Sequence, residues 1–155
     1  MECFHHQPAV AILVRMFTAL LVSTALTSAI SPAPATSTSV ETRVTKVLDR
    51  TLSGQPILMP TGPVRVTISE MTLPVGARLP PHRHPFARHV HVLAGRLAVK
   101  DLSTGGVVEL GPSDWAVDVV DVWHEGTVLG DEPVRLLLIE QAPPGAATTI
   151  RQDPP

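Results

Sequence analysis

The chain has no tyrosine, two tryptophans and three phenylalanines, too little aromatic surface to build a platform on which bases or sugar rings could stack. It also lacks a basic run. Twelve Lys and Arg are scattered among fourteen Asp and Glu, giving a formal charge of -2, which excludes a cationic track along a phosphate backbone and so a nucleic-acid partner. Cys3 is the single cysteine. It has no partner for a disulfide and lies in a segment read below as removed, so the mature chain is expected to have no thiol chemistry. After residue 40 no long stretch keeps apolar side chains at helical spacing, which argues against a helical core.

What is abundant is punctuation. Sixteen prolines and ten glycines interrupt a chain of 155 residues that is 44% hydrophobic and 17% charged, a composition that favours short strands and turns. This length suits one domain of ordinary size, so any site must be assembled within a single core.

Residues 1–29 read as a signal peptide. Met16 to Ile30 carries no charge, follows Arg15 and ends near the small residues Thr27, Ser28 and Ala29, the pattern of an apolar segment with a cleavage site. That implies a secreted or periplasmic protein. A membrane anchor is the alternative, because Val10 to Ile30 approaches spanning length with Arg15 inside it; otherwise no stable membrane partner is expected. Residues 30–40 are rich in Pro, Ala, Ser and Thr and read as a linker. Residues 41–142 form the folded domain, and 143–155, with four prolines, read as a flexible tail.

Within the domain, apolar residues alternate with polar ones in Val64 to Ser69. Further strands are expected at His89 to Ala94, Arg96 to Leu102, Val107 to Leu110, Trp115 to Val120, Trp123 to Leu129 and Val134 to Glu140. Turn signals separate them: Ser103-Thr104-Gly105-Gly106, Gly111-Pro112 and Gly130-Asp131-Glu132-Pro133. The fold class is therefore all-β, a sandwich or barrel whose closure removes exposed strand edges.

Five of the seven histidines fall between His82 and His124. His82 and His84 stand two apart, and on an extended segment such residues share a face, so two imidazoles can reach one metal. His124, opening another strand after Asp121-Val122-Trp123, is the third candidate donor. His89 and His91 read as half-buried strand residues. Trp115 and Trp123 read as packing, and Asp114 as a turn former.

These residues resemble the cupin superfamily. Its first motif runs Gly, five residues, His-x-His, three or four residues, Glu, six residues, Gly, and Gly76, His82, His84 and Gly95 match it. Its second places an Asp near a turn and a His ten positions later, as Asp114 and His124 stand here. The resemblance spans roughly Val64 to Glu140 and implies a jelly-roll barrel, the double-stranded β-helix, often paired as a homodimer.

Three departures bear on function. Position 88, where the family has its glutamate ligand, is Arg88; Val119-Val120-Asp121 stands in place of Pro-x-Gly; and Val128 stands in place of Asn. With the shorter spacing the ligands are His82, His84 and His124. The longer spacing puts His89 in the fourth position. Strand parity favours the first reading, because Arg88, Val90 and Val92 share one face and His89 and His91 the other, and a bulge would reverse it. Asp118 is open as a substitute carboxylate. Arg88 reads either as a charge on the barrel rim or as the group that holds a substrate carboxylate beside the metal.

The resemblance implies a divalent ion (Fe, Mn, Zn or Ni) and a small-molecule ligand or substrate. Three neutral imidazoles leave open coordination positions, as a catalytic centre requires. Cupins include dioxygenases, isomerases and decarboxylases, and those with three histidines and no carboxylate include thiol dioxygenases. Two functions are carried forward: a metal-dependent, dioxygenase-like enzyme acting on a small organic acid, and a non-enzymatic barrel that binds a small ligand or a metal.

Overall fold

The computed structural model describes residues 39–152. The expected signal segment, most of the linker and the last three residues lie outside the described residues. Nine strands are present and no helix is found among the described residues: β1 (Arg65–Leu73), β2 (Arg78–Arg83), β3 (Arg88–Ala94), β4 (Arg96–Asp101), β5 (Val107–Leu110), β6 (Trp115–Val117), β7 (His124–Leu129), β8 (Val134–Ala142) and β9 (Ile150–Arg151). They pair antiparallel in two sheets, ordered β1-β8-β3-β6 and β5-β4-β7-β2-β9. This is the double-stranded β-helix that the resemblance implied.

The inner faces are read directly from alternation along the strands. Val90 and Val92 of β3, Leu97 and Val99 of β4, Val128 of β7, and Val134, Leu136 and Leu138 of β8 are all buried in one apolar cluster, closed by Leu73, Leu110 and Ala116. β1 is the exception. Val66 and Ile68, the residues that announce it in the sequence, stay largely exposed, and only its Leu73 end joins the core.

The turn from β3 to β4 permits only glycine. Gly95 has φ of 72°, and a Cβ there would stand 2.5 Å from the Pro133 carbonyl oxygen, inside any contact distance.

β2 forms despite Pro80 and Pro81. Neither can donate to a ladder, and the register of β2 against β7 shifts between Leu79 and His82, as expected where proline sits inside a sheet. The carbonyls of both prolines still work: Pro81 accepts from Gln152 N at 3.1 Å and Pro80 from a histidine ring at 2.8 Å.

The stretch from residue 143 differs from the expected loose tail. Through residue 152 it is structured: β9 pairs with β2 by matching His82 with Arg151 and Arg83 with Ile150. Four prolines weaken a helix or a central strand, but they leave an edge strand of two residues free to form.

Candidate metal centre

The pairing of β2 with β7 within one sheet brings His82 and His84 of the β2 region against His124 at the start of β7, and the register pairs His82 with His124 directly. One ring nitrogen from each lies within 4.8 Å of the others, and the ring centroids are 4.3 to 5.1 Å apart. All three histidines are buried, His84 completely.

Backbone carbonyls fix the tautomers. Nδ1 of His82 faces the Pro80 oxygen at 2.8 Å, Nδ1 of His84 the Thr148 oxygen at 2.8 Å, and Nδ1 of His124 the Val122 oxygen at 2.9 Å. A carbonyl only accepts, so each Nδ1 carries the proton and each Nε2 is left with its lone pair. Nε2 of His84 and of His124 is buried without a hydrogen-bond partner among the described residues. Unsatisfied buried nitrogens clustered in this way cost stability, and oriented imidazoles with carbonyl-bound Nδ1 groups are what a metal site uses. The residues therefore fit a divalent ion.

Burial, and then the nearby rings of His124 and His84, outweigh the Pro80 bond and pull the His82 imidazole down to about 4, so it is neutral and ligand-competent at neutral pH.

His89, the fourth ligand of the longer-spacing alternative, is elsewhere. His89 pairs with Val117 and Ile139 on the outer side of the β1-β8-β3-β6 sheet, and its ring is not part of the triad. The irregularity in β3 falls later, between Val92 and Ala94, so it does not reverse the parity of His89. His91 stacks on Trp115 with centroids 4.2 Å apart, and Asp114 accepts the Gly111 amide at 2.8 Å; both are the packing and turn roles their positions suggested.

Arg88 does point inward, beside the triad, but it is not a free cation. Its cross-strand partner Glu140 receives Nε at 3.0 Å and Nη2 at 2.6 Å, and Nη2 also reaches Thr149 Oγ1 at 2.7 Å. Nη1 is left without a bond among the described residues. A cavity of about 340 Å³ opens over this face, with His82, Arg88, Thr149 and Arg151 in its wall together with Met71, Leu79 and Pro80.

A carboxylate stands against the triad. Asp118, on the link between β6 and β7, is buried, with Oδ2 3.4 Å from Nε2 of His84 and Oδ1 3.5 Å from Nε2 of His124. Burial alone would raise its pKa; when the His84 and His124 rings carry a proton on the Asp118 side, the contact with His84 and the charges of His124, His84 and Arg88 outweigh burial and hold it at about 2.

Two contributors were not visible in the sequence. Gln55 clamps the Asp118 link by accepting Val120 N at 3.1 Å and donating to Val120 O at 3.0 Å, while Leu52 N bonds Val117 O at 2.8 Å. Thr148 and Thr149 reach the Nδ1 of His84 from the far C-terminal side. Neither segment carries a metal-ligand spacing; polar residues next to Pro and Gly signal only a turn.

Residues 69–140 match the family model described as Cupin domain. No curated protein matches the sequence. Among solved structures, the DMSP lyase DddQ from Ruegeria pomeroyi is 21% identical with a TM-score of 0.47, over 56% of this chain and 42% of the lyase. A conserved Klebsiella pneumoniae protein with a double-stranded β-helix domain is 18% identical with a TM-score of 0.46, over 63% of this chain and 91% of its own. The polyketide cyclase RemF from Streptomyces resistomycificus is 21% identical with a TM-score of 0.46, over 63% and 70%. This chain thus spans about two fifths of the length of that lyase. The family match runs from within β1 to β8 and includes the strands that carry the triad, so residues 69–140 form a cupin superfamily domain.

Proposed function

We propose that this barrel is a divalent-metal enzyme of dioxygenase type that takes a small organic acid. One observation carries the reading: the cavity of about 340 Å³ has a triad histidine, His82, and two guanidinium groups, Arg88 and Arg151, in the same wall. A carboxylate seated against Arg88 Nη1 and Arg151 would place the rest of a small molecule beside His82. The apolar part of the wall, Met71, Leu79 and Pro80, excludes water from the remainder of the ligand and strengthens those charge contacts.

His82, His84 and His124 would hold the ion, which when bound supplies a Lewis acid and a place for dioxygen. The carbonyls of Pro80, Thr148 and Val122 hold the rings in the ligating orientation, so no reorganisation accompanies loading.

The test is oxygen uptake by the iron-loaded full chain with a panel of small carboxylic acids, beside the His82→Ala and His124→Ala variants. Consumption that depends on both the acid and the histidines supports the reading. Tight acid binding with no oxygen consumed overturns it in favour of a binding barrel.

We also propose export, on the strength of the uncharged run Met16 to Ile30 followed by small residues. Intact-mass measurement on natively produced protein should give a chain starting near residue 30. A full-length chain in the membrane fraction would refute export and favour the anchor.

A further inference from the structure

We infer that Asp118 is the fourth protein ligand of the metal, so that the centre is three histidines and one aspartate, with the carboxylate supplied by the β6–β7 link. This rests on the metal reading above and deepens it.

The argument begins with direction. The three Nδ1 atoms are turned away to backbone carbonyls, and Asp118 approaches the opposite side of the rings, facing Nε2 of His84 and of His124. A carboxylate that merely orients an imidazole sits at the nitrogen not used for ligation. Asp118 sits at the nitrogens that are used.

Distance agrees. Two donors on one ion with bonds of about 2.1 Å at the tetrahedral angle stand about 3.4 Å apart; Asp118 offers a separate oxygen to each ring, Oδ2 at 3.4 Å from Nε2 of His84 and Oδ1 at 3.5 Å from Nε2 of His124, so a small turn of the carboxylate is needed to bring one oxygen onto the ion shared by the triad. At this separation, lone pairs on nitrogen face a carboxylate with no hydrogen bond to either Nε2. Acceptor against acceptor in a buried pocket calls for a cation between them.

The surroundings leave Asp118 available. Arg88, the nearest candidate counter-ion, is bound to Glu140, and Glu140 is consumed by that pair. Asp118 is itself rigidly placed: its backbone N donates to Arg88 O at 2.8 Å, its Oδ1 accepts Val119 N at 2.9 Å, and Gln55 clamps Val120 just beyond. A cavity of about 30 Å³ adjoins this cluster, with His82, His124, Asp118 and Arg88 on one side and apolar core residues on the other, and His84 outside its wall. Three neutral imidazoles leave the full double charge of the ion inside a barrel, and one carboxylate halves it.

The experiment titrates cobalt(II) into metal-stripped full chain and into Asp118→Asn and Asp118→Glu, reading affinity and the visible absorption of the bound ion. Infrared difference spectra are recorded for the wild type with and without zinc(II). Asp118→Asn should bind cobalt at least 100-fold more weakly with a changed absorption envelope, Asp118→Glu should recover most of the affinity, and zinc should shift the wild-type carboxylate stretching bands. Equal affinity and the same absorption in Asp118→Asn would overturn the assignment while leaving the triad standing. Should that variant fail to fold, the infrared spectra decide: metal binding without a carboxylate shift overturns the assignment. No metal binding by the wild type would overturn the metal reading and this assignment together.

Discussion

Arg88→Ala should destabilise the fold more than its place near an open cavity suggests. The guanidinium and Glu140 retain only 11% and 15% side-chain exposure, and both Nε and Nη2 bond to the same carboxylate oxygen. Removing one partner of a buried ion pair leaves the other charge without compensation, a loss of about 3–5 kcal/mol. The residual exposure and access to water from the cavity move this site to the lower end, about 3 kcal/mol. Glu140→Gln alone should cost less, about 1–2 kcal/mol, since Arg88 keeps its Nη2 bond to Thr149 and can be hydrated from the cavity. In the double variant Arg88→Ala/Glu140→Gln no charge is stranded, so its loss should fall well below the sum, with a coupling of about 2 kcal/mol. Urea denaturation of the four proteins at pH 7 gives the cycle. A loss under about 0.5 kcal/mol for Arg88→Ala would be the value of a surface substitution and would refute the reasoning, as would additivity of the two single changes.

Three further outcomes are expected. In metal-free protein the His82 ring titrates near 4 when folded and near 6.5 when unfolded, so the unfolded chain binds more protons between those values. Its contribution is complete above about pH 6.5 and falls by about 3 kcal/mol by pH 4; Asp118, held at about 2 against 3.8, adds a further loss between about pH 4 and 2, and urea midpoints that stay flat from pH 7 to 4 would contradict this. Gly95→Ala should cost several kcal/mol, because the added Cβ meets the Pro133 carbonyl at 2.5 Å on a backbone with φ of 72°; a thermal midpoint within 2 °C of wild type, little more than measurement noise for a domain of this size, would show that the turn rearranges. Deleting residues 148–155 removes the carbonyl that holds His84 and the hydroxyl that meets Arg88, so metal affinity should fall about 10–100-fold, as read by competition with a chromophoric chelator, and an unchanged affinity would return those residues to the status of a tail.

The sequence by itself placed seven of the nine strands, β2 and β9 being unforeseen, and through the family resemblance it implied the fold and named the three histidines that the structure brings together. Alternation and turn residues are local properties, so strands β3 to β8 were placed within a few residues of their observed limits, and the spacing of His82 and His84 already implied a shared face. Parity along β3 was enough to separate Arg88 from His89. What only tertiary structure decided is everything that depends on register across strands distant in sequence. Arg88 meets Glu140 because β3 pairs with β8 at that register; nothing near position 88 shows that its charge will be neutralised. Asp118 reaches His84 and His124 because β6 lies beside β3 while β2 and β7 close over it from the other sheet, and Gln55 fixes that link from more than sixty residues away. The segment after residue 143 looked loose because proline content measures what a chain cannot do alone, whereas β2 offered it an edge and His84 an acceptor to supply. Side-chain chemistry is written locally, but which charges cancel and which remain for a ligand is decided by closure of the barrel.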